Sequence, residues 1–277
     1  MVLVDARSLL DSLTSTSPPV LLDIRWRIDQ RNGRSDYLAA HLPGALYVDL
    51  ETELSSPPTA SGGRHPLPAI SDLQASVRRW GVHSGSTVVV YDDFGGMSAA
   101  RAWWLLRWAG LNDVRLLDGG LARWRALNLP LEAGQPPATP GNVVLTPGAM
   151  PTIHTEQIAE FATAGVLLDA RAAERYRGEV EPFDPRAGHI PGALSAPTDE
   201  NLDVTDRFLS PGQLRARFAA LGVRDGTPVA VYCGSGITAA HEIVALALAG
   251  FNAVLYPGSW SAWSADPTLT VAVGPEP

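Results

Sequence analysis

The sequence predicts two tandem α/β domains, each a parallel β-sheet flanked by helices on both faces. Three observations carry this. The chain has 277 residues, more than one ordinary domain needs and comfortable for two. It also repeats itself: LLDIR at 21–25 returns as LLDAR at 167–171, and AHLPGAL at 40–46 as GHIPGAL at 188–194. TVVVYDD at 87–93 returns as PVAVYCG at 228–234, and LLDGGLARW at 116–124 as LYPGSWSAW at 255–263. Matched segments in one order, at nearly constant offset, mark a duplicated unit of ordinary domain length rather than a solenoid. Finally, within each copy short apolar runs alternate with helical stretches, the pattern of a parallel sheet covered by helices.

In the first copy the runs PVLLDI, STVVVYD and VRLLD read as buried strands; GVLLDA, TPVAVYC and NAVLYPG match them in the second. Helices are predicted over SAARAWWLLRWAG and TAAHEIVALALAG, each ending in glycine, a common C-terminal signal. Trp103, Trp104 and Trp108 fall at helical spacing and are expected in the core. Proline and glycine in PLEAGQPPATPGNVVLTPG mark an extended connector. The expected organisation is a first domain over 1–133, a linker over 134–150 and a second domain over 151–277.

Composition narrows the function. The chain is 45% hydrophobic and 18% charged, the balance of a soluble globular protein. No stretch is apolar enough to span a bilayer, and the N-terminus lacks the basic and apolar regions of a signal peptide. With a single cysteine there is no internal disulfide and no multi-cysteine metal site, which together with the N-terminus favours the cytoplasm; no metal or other cofactor is expected. The net charge is −8 and no basic stripe is present, which argues against nucleic acid as a partner. All 21 basic residues are arginine, which excludes a Schiff-base lysine and a P-loop. Any anionic substrate must then be held by arginines, backbone N–H groups or hydroxyls.

The single cysteine, Cys233, stands at the carboxyl end of a predicted strand, where open α/β sheets bind their ligands. The loop after it reads Gly234, Ser235, Gly236, Ile237, Thr238, and a helix is predicted from about Thr238. Two glycines let the backbone curl and turn its N–H groups inward, and the helix presents its positive end. A thiolate cradled in this way is stabilised as a nucleophile. In the first copy the loop reads YDDFGGMSAARAWW, one residue longer, with Asp92 or Asp93 where the cysteine would be. Aspartate cannot carry sulfur, so the first copy is expected to be catalytically silent.

Two repeats with LLDxR, H(L/I)PGA and a strand–Cys–loop–helix resemble a tandem rhodanese-domain sulfurtransferase over nearly the whole chain. The CGSGIT loop is similar to that of 3-mercaptopyruvate sulfurtransferases. Thiosulfate-preferring rhodaneses typically carry a basic residue directly after the cysteine, where this chain has Gly234. The resemblance implies two rhodanese-like domains, the second catalytic. It implies a persulfide formed on Cys233 by a small sulfur donor and passed to a thiol, to cyanide or to a reduced thioredoxin-like acceptor. N–H groups of residues 234–238 stabilise the sulfur anions, and Ser235 offers a hydroxyl to the donor. The donor carboxylate calls for arginine: Arg175 matches one family position, and Arg186 approximates a second, with unusual spacing in EPFDPR. From the silent domain the resemblance carries over Glu51, with Asp49 beside it as the other choice, and His65 as groups assisting the loop serine. Arg171, His41, His189, Asp23 and Asp169 have equivalents in both copies or belong to such pairs, which points to structural roles. Trp260 is a possible wall of the pocket.

Three other readings stand beside this one. Thiosulfate is the nearest rival donor. A cysteine phosphatase requires an arginine closing the loop, and Gly-Ser-Gly-Ile-Thr-Ala has none. A non-catalytic sulfur-sensing or interaction module would suit the first copy alone.

Overall fold

The computed structural model describes residues 1–28 and 32–277. The chain forms two compact units: one of Met1–Ser56, Pro68–Met150 and Val204–Arg207, the other of Pro57–Leu67, Pro151–Asp203 and Phe208–Pro277. The short segment Pro57–Leu67 thus belongs with the second unit, although it lies within the first repeat in sequence.

In chain order the first unit contains β1 (Leu3–Val4), α1 (Ala6–Leu13), β2 (Val20–Asp23), α2 (Gly33–Ala39), β3 (Leu46–Tyr47) and α3 (Leu50–Glu53). There follow α4 (Ile70–Arg79), β4 (Val88–Tyr91), α5 (Ala99–Trp108), β5 (Val114–Leu117) and α6 (Gly120–Ala126). The sheet order is β1-β5-β4-β2-β3, and every pair is parallel. The second unit contains α7 (Thr155–Ala164), β6 (Val166–Asp169), α8 (Ala173–Tyr176), β7 (Ala193–Ser195) and a 3₁₀ turn (Thr198–Asn201). Next come α9 (Pro211–Ala220), β8 (Val229–Tyr232), α10 (Thr238–Leu248), β9 (Val254–Leu255) and α11 (Ser259–Ala265). Its sheet, β7-β6-β8-β9, is also parallel throughout.

The central strands explain the layering. All four residues of β4 and all four of β8 are buried, so both faces of each sheet are covered. Helix α10 is buried along every residue from Ala239 to Leu246, including two polar ones. His241 Nδ1 lies 2.7 Å from Thr198 Oγ1, and Glu242 accepts from Asn201 Nδ2 at 2.6 Å and pairs with Arg217 at 3.1 Å. Trp103 and Trp104 are buried on α5, as their spacing predicts, and Trp108 stacks on Trp104 with ring centroids 6.2 Å apart.

Polar residues common to both copies brace the loops. Asp23 pairs with Arg25 at 2.8 Å, and Asp169 with Arg171 at 2.6 Å. His41 stacks on Tyr37 and bonds its carbonyl at 2.9 Å; His189 does the same with Tyr176 at 2.8 Å. These residues hold backbone in place in the two units alike, which accounts for their duplication.

Candidate functional site

Strand β8 ends at Tyr232, and the loop that follows carries Cys233 into the start of α10. Cys233 is 2% exposed, and its Sγ accepts the N–H of Gly236 at 3.1 Å. Gly236 sits at φ +79°, a left-handed turn that glycine adopts without a Cβ clash and that aims this N–H back at the sulfur. The backbone N–H of Cys233 donates to Ser259 Oγ at 3.2 Å. The N–H groups of Trp260 and Ser261 donate to the carbonyls of Cys233 and Gly234, each at 2.9 Å. The first turn of α11 therefore fixes the loop from below. Ser259 itself sits at φ +53°, where the first copy has Gly120 at φ +50°. A serine in this left-handed conformation is strained, and its hydroxyl is also the group that receives the Cys233 N–H.

The first copy displays the anion-binding capacity of this kind of loop. There the Asp92 carboxylate accepts four backbone N–H groups, from Phe94, Gly96, Ser98 and Ala99, at 2.8–2.9 Å. Complete burial pushes its carboxyl above the usual range, against the pull of those donors. The loop is a nest for negative charge; in one copy it holds a carboxylate, in the other a cysteine sulfur.

The structure brings His65 and Ser235 together. Both are buried in the second unit, with Nδ1 and Oγ 2.7 Å apart. Arg175, at the end of α8, also reaches the loop. Its Nη2 bonds Glu181 Oε1 at 2.7 Å and Oε2 at 3.0 Å, and Asp184 Oδ2 at 3.3 Å. A residue that sequence reasoning missed, Arg64, pairs with the other oxygen of Asp184. A Cβ added to Gly234 would lie 2.9 Å from Arg64 Nη2 and 3.3 Å from Arg175 Nη1. The loop contains no basic residue, yet two guanidinium groups stand directly over it. The positive charge beside the loop comes from segments distant in sequence. Burial pushes the Asp184 carboxyl above the usual range, while Arg64 pulls it down.

Arg186 is placed differently. Its guanidinium donates to four backbone carbonyls, those of Ser264, Leu269, Trp263 and Asp266, at 2.5–2.8 Å. It staples the C-terminal end of α11 and has no open fork for a substrate. Trp260 is fully buried beneath it, donating from Nε1 to the Arg186 carbonyl at 3.0 Å, so it packs rather than walls a pocket. Glu51 lies in the first unit, exposed, and accepts from Trp26 Nε1 at 2.8 Å. Asp49 caps α3, accepting the Thr52 N–H at 3.0 Å. The local signal for Arg64 is its place directly before His65 in GGRHPLP. Asp184 lies in the same unusual EPFDPR stretch that drew attention to Arg186.

Comparison with known proteins shows the family. The family model described as "Rhodanese-like domain" matches residues 5–127 and again 154–266. SseB of Mycobacterium tuberculosis, provisionally named a thiosulfate sulfurtransferase, is 46% identical over 99% of this chain and 97% of its own length. A Pseudomonas aeruginosa protein, provisionally named a 3-mercaptopyruvate sulfurtransferase, is 48% identical over 92% of each chain. The crystal structure of SseA from Escherichia coli, described as a 3-mercaptopyruvate sulfotransferase with the rhodanese fold, superposes with a TM-score of 0.81 at 33% identity. It covers 94% of this chain and 98% of that one. Among the described residues, no helix is long and apolar enough to cross a membrane.

Proposed function

Given that this chain belongs to the rhodanese family of sulfurtransferases, we propose that it moves the sulfur of 3-mercaptopyruvate to a thiol or cyanide acceptor through a persulfide on Cys233. The observation that carries this is the buried Cys233 sulfur, which accepts the Gly236 N–H, with the Arg64 and Arg175 guanidinium groups one residue away.

The Cys233 thiolate attacks the donor sulfur, forming an S–S bond while the carbon–sulfur bond breaks. The electron pair of the broken bond passes to the departing pyruvate enolate, which takes up a proton at its methylene carbon. The donor's thiol proton is lost, leaving Cys233–S–S⁻. An acceptor thiolate or cyanide then attacks the outer sulfur and releases the Cys233 thiolate. Inward N–H groups of residues 234–238 hold the sulfur anions through both steps. Arg175 engages the donor carboxylate as a planar fork. His65, through Ser235, is placed to supply the proton that the enolate needs. A thioredoxin-like protein fits the acceptor role, and a cytoplasmic setting fits a reactive thiol that must stay reduced.

Thiosulfate is the second reading, favoured by the paired guanidinium groups, which suit a dianion, and by the name of the M. tuberculosis relative. Purified protein given 3-mercaptopyruvate should gain the mass of one sulfur at Cys233 and release pyruvate. Cys233→Ser should abolish both; pyruvate release by that variant at the parent rate would remove Cys233 as the nucleophile. Parallel kcat/KM values decide the donor, and a clear preference for thiosulfate would overturn the first reading in favour of the second.

A further inference from the structure

The nitrogen atoms that face Gly234 are Arg64 Nη2 and Arg175 Nη1. Every hydrogen bond from the Arg175 guanidinium leaves from Nη2, and the Arg64 guanidinium bonds Asp184 through Nη1 alone. The Nε atoms of both arginines are buried without a partner. Arg64 Nη2 and Arg175 Nη1 are thus spare donors beside the residue that follows Cys233. Arg186, by contrast, is saturated by carbonyls.

Arg64 is held firmly in this place. Thr59 and Gly63 exchange backbone bonds at 3.1 and 2.9 Å, and the Arg64 N–H donates to Ser261 Oγ at 3.0 Å, on the same helix turn that fixes the Cys233 loop. One carboxylate spans the pair: Asp184 gives one oxygen to Arg64 and the other to Arg175, with its side chain only 2% exposed. Glu181, bonded to Arg175 and Arg171, completes the cluster. A carboxylate shared between two guanidinium groups is the arrangement that an incoming carboxylate would itself adopt.

We infer that Arg64 is the second arm of the donor's anion subsite, paired with Arg175 across Gly234, and that Asp184 is a resident carboxylate competing with the donor for both arginines. The inference rests on the reading that Cys233 takes sulfur from an anionic donor. Arg64 is then a binding residue, and Asp184 sets how tightly an anion is held.

Alkylation of Cys233 tests this without sulfur transfer. Iodoacetate carries a carboxylate and iodoacetamide is its neutral counterpart; both form an S–C bond to the thiolate and expel iodide. The ratio of their rates reads anion binding beside Cys233, with iodoacetamide correcting for thiolate reactivity. Arg64→Ala should lower the iodoacetate rate by about tenfold or more, with the iodoacetamide rate held within about threefold. Arg64→Lys should restore part of the loss. Asp184→Asn should raise the iodoacetate preference severalfold, where a residue that merely held the arginines in place would lower it. Arg177→Ala, which removes a surface cation paired with Glu179, serves as the charge control and should leave the ratio unchanged. An unchanged ratio in Arg64→Ala, or a fall in Asp184→Asn, overturns the inference. A wild-type Cys233 that neither reagent alkylates would instead overturn the nucleophile reading, and this inference with it.

Discussion

His65 and Ser235 lie 170 residues apart in sequence and share one buried contact of 2.7 Å between Nδ1 and Oγ. With Ser235 two residues after Cys233, the pair forms a chain from a titratable ring to the sulfur-bearing loop. Groups that act as a unit lose their effect when either member is removed. His65→Ala and Ser235→Ala should each lower kcat with 3-mercaptopyruvate by roughly a hundredfold or more, with KM nearly held. The double variant should lose little beyond the worse single one. Steady-state kinetics on the four proteins checks this; additive losses, or a change confined to KM, would show that the two residues act separately.

Arg175 and Arg186, both expected to meet the donor carboxylate, have opposite situations in the structure. Arg186 is committed to four carbonyls at the end of α11. Removing it leaves those acceptors to find water, at a cost of about 3 kcal/mol for charge-assisted bonds in a half-buried setting. Arg186→Ala should therefore lower the urea midpoint while the folded enzyme keeps its KM. Arg175→Ala should do the reverse, raising KM about tenfold or more with a smaller loss of stability. A rise in KM in Arg186→Ala without loss of stability would reinstate Arg186 as a ligand residue.

Legibility in the sequence followed the range of the interactions. The two sheets were legible because each strand is a local apolar run. The cysteine loop was legible because its strand, glycines and helix start are contiguous, and because the other copy shows a similar loop with aspartate in the cysteine's place. Arg64 was not, since its meaning depends on Asp184, 120 residues away. For Arg186 the sequence shows the charge but not the four backbone carbonyls, of Trp263, Ser264, Asp266 and Leu269, that its guanidinium bonds. Ser259 lay inside a recognised repeat, yet only the backbone angle reveals that a serine occupies a conformation for which the first copy uses glycine.

Asp92 follows β4 as Cys233 follows β8, and its buried carboxylate is surrounded by backbone donors. Four backbone N–H groups converge on its carboxylate with no other acceptor assigned to them. Asp92→Ala should leave these donors unpaired in a buried loop and destabilise the protein by about 3–5 kcal/mol. Asp92→Asn keeps one acceptor oxygen and should cost less. Urea unfolding of the two variants beside the parent checks the order. Equal, small effects would mean that the loop does not depend on a resident anion.

Glu242 offers a test of electrostatics at the back of the catalytic loop. It lies within α10, fully buried, and the groups facing it are Arg217 from α9 and Asn201 and Thr198 from the 3₁₀ turn. Burial is the largest influence and pushes its carboxyl above the ordinary value of 4.5, although Arg217 and Asn201 pull the other way. Between 4.5 and that raised value the native state holds a proton that the unfolded chain has released. Stability contributed by this group is therefore present below 4.5 and falls as pH rises through the raised pKa, with a limiting slope of about 1.4 kcal/mol per pH unit for one proton. Glu242→Gln removes the titration while keeping an acceptor for Asn201, so its unfolding free energy should decline less as pH rises above 4.5. The comparison is made by urea unfolding at several pH values in one buffer series. If parent and variant give parallel curves, Glu242 is ionised throughout and the buried pair with Arg217 outweighs desolvation.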